Sequence, residues 1–392
     1  MNQQKSKTSI ILSGGGARAA YQVGVLRAIA EMLPDDAQNP FDIVCGTSAG
    51  AINAAALATH AYNFNKSVQR IHNIWSNFHA QHVFKTDSWS LLKTSANWFL
   101  AMLSAGLNKR HGSLSLLDRS PLEKLLKQYI HSEDIQYSID QGYLHALSIT
   151  ASGYSSQQSV SFFHADASQQ PWSRSRRIGA RAKITVTHLM ASSAIPFIFA
   201  PVRLNREFFG DGSMRQIAPI SPALHLGADK ILIIGNRQEI LPGLPRHRYL
   251  QEPSIAQVAG HALDSIFLDS LSADIERLQR INKTIEIIPE ETRIEHGIEL
   301  RKVEVLVISP SRNLGELALE YLHELPTSLR FLLKSIGAYS RNSSGLASYL
   351  LFEKGYCQAL IELGYQDSIT KSADIIELLS PQSRIKEGNT TR

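Results

Sequence analysis

Residues 42–54 read Asp42-Ile-Val-Cys-Gly-Thr-Ser-Ala-Gly-Ala-Ile-Asn-Ala54, DIVCGTSAGAINA. The apolar run Phe41–Cys45 has strand character, Gly46 to Gly50 is a turn of small residues, and the alanine-rich stretch Ile52–Ala58 reads as a helix. The same order appears upstream. Thr8–Leu12 is a short β-type run ending in Ser13-Gly14-Gly15-Gly16, and Val23, Leu26, Ala30 and Leu33 then recur at helical spacing before a loop bounded by Pro34 and Pro40. Strand, glycine turn and helix, twice in succession, argue for an α/β fold with a largely parallel sheet.

The rest of the chain extends this pattern. Residues 60–135 read as helical and aromatic-rich, and Leu144–Ala151 and Ser159–His164 as a pair of strands. Phe208–Gly212 reads as a strand ending in a turn, Lys230–Gly235 as a buried strand and Val303–Ile308 as a late one. A long helix is expected over Ser254–Asn282, with Ile255, Ala259, Leu263, Ile266, Ile275, Leu278 and Ile281 on its apolar face. More helices follow through Leu379. No repeat or low-complexity linker divides the chain. The expectation is one domain over 8–380, with a core at 8–235, an extension at 254–380 and a disordered polar tail at 381–392.

Composition narrows the class. The 392 residues are 43% hydrophobic, enough for a large core, and the net charge of +5 favours anionic surfaces over any specific partner. Cys45 and Cys357 stand far apart without metal-type spacing, which fits a reducing, cytoplasmic setting. The N-terminal apolar run is too short for a signal peptide, and no stretch reaches the length of a membrane span. Membrane contact is therefore expected to be peripheral. No nucleic-acid partner, cofactor or metal is expected, since no ligand cluster stands out, and the paired His79 and His82 read as surface residues.

Gly46-Thr-Ser48-Ala-Gly50 matches G-x-S-x-G, in which a serine nucleophile sits on a sharp strand-to-helix turn with small neighbours. The rival reading is a glycine-flanked turn with an N-capping serine. Three glycines at 14–16 let backbone N–H groups converge, as an oxyanion hole or a phosphate cradle requires. Gly14-x-Gly16-x-x-Ala19 also fits a dinucleotide fingerprint, but the second strand runs into Cys45 and the serine turn rather than an acidic residue. Asp211, between Gly210 and Gly212, is a candidate base or a plain turn residue. A histidine base remains an alternative, with His225 or His261 completing an α/β-hydrolase order, although too few strands precede Ser48 for that fold.

Two further stretches draw notice. Trp89, Leu92, Ala96, Phe99, Leu103 and Leu107 form a stripe within residues 88–107, suited to a core helix or to a lid. Between Ala167 and Arg206 there is no acidic residue, while Arg174, Arg176, Arg177, Arg181, Lys183, Arg203 and Arg206 lie there beside Trp172. An anionic membrane surface is the candidate partner for that run.

The segments LSGGGARAAYQVGVL, GTSAGAINA, ASSAIPFIFAPV and FFGDGSMRQIAPI, in that order, resemble the patatin-like phospholipase family. IERLQRIN, VEVLVISPS and LLFEKGYCQALIELGY resemble bacterial members with a C-terminal extension. The resemblance implies a three-layer α/β/α fold and hydrolysis of lipid esters, of phospholipase A or lysophospholipase type. It implies Ser48 as nucleophile and Asp211 as base without histidine, with Gly14, Gly15 and Gly16 as oxyanion hole. Gly46 and Gly50 would form the elbow, with Arg18, Gly210 and Gly212 in support. The chain departs from the family pattern at Ala19 and Ser213, where glycine, or glycine or alanine, is usual. An inactive module binding lipid or phosphate through the same loops is the non-enzymatic alternative.

Overall fold

The computed structural model describes residues 6–85, 117–238, 254–298, 300–335, 337–338 and 344–380, with Ser115 and Glu252. The expected helix at 88–107 and the tail at 381–392 lie outside them. The strands are β1 Thr8–Leu12, β2 Ile43–Thr47, β3 Ala146–Gly153, β4 Ser159–Ala165, β5 Trp172–Arg174, β6 Arg177–Arg181, β7 Val202–Leu204, β8 Glu207–Asp211, β9 Lys230–Ile234 and β10 Glu304–Ile308. They form one sheet in the order β10-β9-β1-β2-β3-β4-β6-β5, with β8 added to β3 and β7 to β8.

From β10 through β3 every neighbouring pair is parallel, and β4 then reverses against β3. Successive side chains face opposite sides of a strand, so each central strand feeds two cores. Ile10, Leu12, Val44 and Leu232 enter one, with the helices α1 Ala20–Met32, α2 Ala49–Thr59 and α3 Phe64–Trp75. Ile11, Ile43, Cys45 and Ile231 enter the other, with Ala223 of the short helix Ser221–His225 and Leu278 of the long helix Ile255–Ile287. The result is a three-layer α/β/α arrangement with a mostly parallel sheet.

Strand lengths position the site. β3 pairs with β2 as far as Thr47↔Thr150 and continues to Gly153. One edge of β3 carries β4 over Ala146–Ser152, so β8 takes the edge that β2 leaves, with Asp211 opposite Ala151. The end of β8 therefore meets the end of β2 almost head-on.

Several boundaries differ from those read in the sequence. β2 runs on through Gly46 and Thr47 because they continue the ladder beside Leu12 and Thr150. The long helix starts at the expected Ser254 cap, whose hydroxyl accepts from the Gln257 N–H at 3.2 Å, and ends five residues beyond Asn282. The basic run, legible only as a loop, contains the edge hairpin β5–β6. Trp172 does not face outward as an interfacial anchor. It stacks between Phe163, at 5.1 Å, and His225, at 4.9 Å.

The C-terminal part is built into the same body. β10 pairs along β9, and the helix Lys354–Ile369 packs on α1. Gly24 and Gly364 let these two helix backbones touch: a Cβ at Gly24 would stand 2.7 Å from Tyr365 N and 2.8 Å from the Ile361 carbonyl carbon. Gly24→Ala gains about 1 kcal/mol of helix propensity but overpacks backbone atoms that cannot rotate away, which places it at the upper end of the roughly 1–3 kcal/mol that overpacking costs. We expect a net loss of about 1 kcal/mol or more in urea denaturation, with earlier proteolysis of the C-terminal helices. Wild-type stability would contradict the contact.

Candidate active site

Ser48 closes β2 and opens α2 with φ 55° and ψ −128°, a backbone conformation uncommon for a residue with a side chain. Its small neighbours are required by close approach. A Cβ on Gly46 would lie 2.6 Å from Ala51 Cα, and one on Gly50 2.6 Å from Ser13 O. The second contact shows that the serine turn is pressed against the start of the glycine loop.

The turn aims the Ser48 hydroxyl at Asp211. Ser48 Oγ donates to Asp211 Oδ2 at 2.6 Å, and both residues are buried. Asp211 Oδ1 accepts the Ser213 N–H at 2.9 Å, and the Asp211 N–H donates to Ala194 O at 2.9 Å. The Ser48 N–H donates to Ser192 Oγ at 2.9 Å, and that hydroxyl donates to Thr150 O at 2.6 Å, which pins the elbow to β3. Gly210 lies against Tyr154, and Gly212 against Thr150 and Thr47.

Burial raises the Asp211 carboxyl to about 6. Hydrogen bonds from Ser48 and Ser213 and the charge of Arg119 pull the other way and only partly offset it. Arg119 is itself buried, donates to Met190 O at 2.6 Å and Ala200 O at 2.9 Å, and is lowered by desolvation to about 10.

Gly14, Gly15 and Gly16 are buried beside the elbow, and Gly16 takes φ +56° under the Tyr349 carbonyl. Ser13 O accepts from Gln22 Nε2 at 2.7 Å, and Gly14 O accepts from Asn236 Nδ2. Arg18 points neither to local carbonyls nor to an open phosphate position. Its guanidinium donates to Ser348 Oγ at 2.8 Å and to Asp264 Oδ1 and Tyr349 OH at 3.1 Å each.

An apolar cavity of about 790 Å³, mouth included, opens at Ser48 and runs between α2, α3 and the helix Ser120–Tyr129. Ile52, Ile74, Trp75, Leu122, Leu126 and Phe199 line it. Its apolar lining has the character of a site for an apolar ligand.

Among the described residues no histidine hydrogen-bonds Ser48 or Asp211. His225 bonds Ser221 and stacks on Trp172, and His261 is exposed on the long helix. His79 and His82 are exposed, with His79 Nδ1 2.9 Å from Glu353 Oε2. β2 ends without the acidic residue a dinucleotide site requires. No cluster among the described residues has the make-up of a metal site, and none of their helices is long and apolar enough to cross a membrane. In the basic run, Lys183 pairs with Glu133 and Arg181 holds the carbonyls of residues 165–167, while Arg174, Arg176, Arg203 and Arg206 are exposed. Ser192, Arg119, Gln22 and Asn236 were not singled out from the sequence. Ser192 and Gln22 lie in quoted motifs, whereas Arg119 and Asn236 carry no local signal.

Residues 10–224 match the family model described as patatin-like phospholipase. A cUMP-AMP-activated phospholipase of Escherichia coli is 40% identical over 67 residues, which is 17% of this chain and 19% of that protein. Among solved structures, VipD of Legionella pneumophila aligns at 14% identity and TM-score 0.30, covering 91% of this chain and 67% of its own. The type III effector ExoU aligns at 17% identity and TM-score 0.29, covering 88% of this chain and 78% of its own.

Holding Asp211 as a dry carboxylate opposes folding. Its raised value means the folded protein binds the proton more tightly than the unfolded chain, so this contribution to stability is present at low pH and is lost as pH rises through about 6. The rise from 3.8 to about 6 corresponds to roughly 3 kcal/mol. Asp211→Asn keeps the shape, accepts from Ser213 and donates to Ser48. At pH 8 we expect it to be more stable than wild type by about 1–3 kcal/mol and to melt higher, with the gap closing towards pH 4. A lower melting temperature at pH 8 would oppose this account.

Proposed function

The chain belongs to the patatin-like phospholipase family, and from that premise we propose that it hydrolyses carboxylic esters of lipids, with phospholipase A or lysophospholipase character, through Ser48 and Asp211. One observation carries the reading: a serine hydroxyl on a strained elbow donates at 2.6 Å to a buried carboxylate, at the mouth of an apolar cavity.

In this reading the acyl chain lies in the cavity and its carbonyl carbon meets Ser48 Oγ. As the Oγ–carbon bond forms, the hydroxyl proton passes to Asp211 Oδ2, whose burial makes it a stronger base than an aspartate in water. The carbonyl oxygen becomes an anion stabilised by N–H groups of the Gly14–Gly16 loop, where each donor in such a site typically supplies about 3–4 kcal/mol. Collapse expels the alcohol, which takes the proton from Asp211. Water then attacks the acyl-enzyme, gives its proton to Asp211, and the released Ser48 oxygen recovers it. No metal enters these steps. Exposed Arg203 and Arg206 sit on the hairpin that leads to Asp211, so the same reading docks this edge on an anionic lipid surface.

Ser48→Ala is expected to lose roughly 10⁴-fold or more of p-nitrophenyl ester turnover, and Asp211→Asn nearly as much. The double variant should be little worse, because the two act as one unit. His225→Ala and His261→Ala should turn over as wild type; loss of activity in a folded histidine variant would favour the histidine-dependent alternative. Failure of a fluorophosphonate to label Ser48 would favour the binding module. The base must be ionised, so kcat/KM should fall below about pH 6 and level off above it. A flat profile down to pH 4 would exclude Asp211 as the base.

A further inference from the structure

Three consecutive glycines have no side chains with which to fix their own orientation. In a trans peptide the C=O and N–H point in opposite directions. Whatever holds the carbonyl of one residue therefore aims the N–H of the next. Gln22 Nε2 holds Ser13 O at 2.7 Å and so aims Gly14 N–H; Asn236 Nδ2 holds Gly14 O and so aims Gly15 N–H.

Gln22 is itself held. Its Oε1 accepts from Asn53 Nδ2 at 2.9 Å, and Asn53 Oδ1 accepts from Trp75 Nε1 at 2.8 Å. Asn53 Nδ2 also reaches Ala19 O at 3.2 Å, just past the glycine loop. Gln22, Asn53 and Trp75 are all buried, and Asn53 and Trp75 line the apolar cavity that opens at Ser48. A continuous chain of hydrogen bonds thus runs from the cavity wall to the carbonyl that orients the loop.

We propose that Trp75, Asn53 and Gln22 form a hydrogen-bond relay that positions the oxyanion loop. This rests on the reading of Gly14–Gly16 as the oxyanion hole. All three side chains are buried, so water does not compete for their polar groups, and hydrogen bonds in a dry, low-dielectric chain are stronger. The loop matters to the anion that develops in the transition state and little to ground-state binding, so the relay acts on kcat and leaves KM nearly unchanged.

The experiment measures kcat and KM for p-nitrophenyl octanoate, together with affinities for an alkyl trifluoromethyl ketone and its methyl ketone counterpart. The trifluoromethyl ketone forms a tetrahedral oxyanion adduct, and the methyl ketone does not to a comparable extent. Gln22→Met keeps the side-chain length and removes the amide. It should lower kcat for octanoate about 10- to 100-fold, keep KM within about twofold, and weaken only the trifluoromethyl ketone. General loosening of the fold would weaken both ketones. Trp75→Phe keeps an aromatic ring and removes the N–H donor. It should lower kcat in the same direction with KM nearly unchanged and weaken only the trifluoromethyl ketone, and it tests the relay from the far end should Gln22→Met not fold. An unchanged ketone ratio in folded Gln22→Met or folded Trp75→Phe overturns the relay. Ser48→Ala runs alongside: undiminished hydrolysis there overturns the Ser48–Asp211 reading, whereas Ser48-dependent hydrolysis with an unaltered ketone ratio overturns the relay alone.

Discussion

Asp211 has no exposed surface, yet it faces a serine hydroxyl at 2.6 Å, and much of the surrounding structure bears on keeping that carboxylate dry and in place. Its backbone is tied to Ala194 and its second oxygen to Ser213. The elbow opposite is tied to Ser192 and through it to β3. Two hydrogen bonds and the nearby Arg119 do not fully replace the water that Asp211 loses, so the group remains a stronger base than it would be outside the protein.

That arrangement depends on β3 outrunning β2. A strand has two edges, and β4 occupies one of them. The free length of the other receives β8, whose last residue is Asp211. The glycines then bring the three turns within reach of one another: Gly50 against Ser13, Gly212 against Thr47, and Gly16 under Tyr349. Larger residues at these points would separate the serine, the carboxylate and the loop by about a bond length or more, enough to lose a reactive geometry.

The C-terminal half takes part in the site as well as in the fold. Tyr349 covers Gly16, Phe352 lines the cavity, and Arg18 reaches Ser348 and Asp264. Arg18 stands two residues past the glycine loop, so its contacts connect the loop to elements far along the chain. A buried guanidinium needs several acceptors at once, and here they come from the segment around Gly345–Tyr349 and the long helix. The boundary expected between core and extension is therefore a boundary in sequence more than in packing.

The alternating strand, glycine turn and helix at 8–58 were legible because periodicity and turn chemistry are local properties. The five strands of the parallel run and the long helix could be placed within a few residues for the same reason. The residue types at Ser48, Asp211 and Gly14–Gly16 were legible as candidates, through their glycine-rich contexts and the resemblance they carry. The short edge strands β5 and β6 were not, because a charged, serine-rich hairpin lacks a clean alternation and is held by its neighbours. Tertiary structure alone decided what Asp211 faces, since that depends on which strand end meets Ser48. It likewise decided the inward turn of Trp172 and the destination of Arg18. Gln22, Asn53, Trp75 and Asn236 show the limit most clearly. Each is an ordinary polar or aromatic residue in sequence, and their hydrogen bonds join positions that only folding brings together.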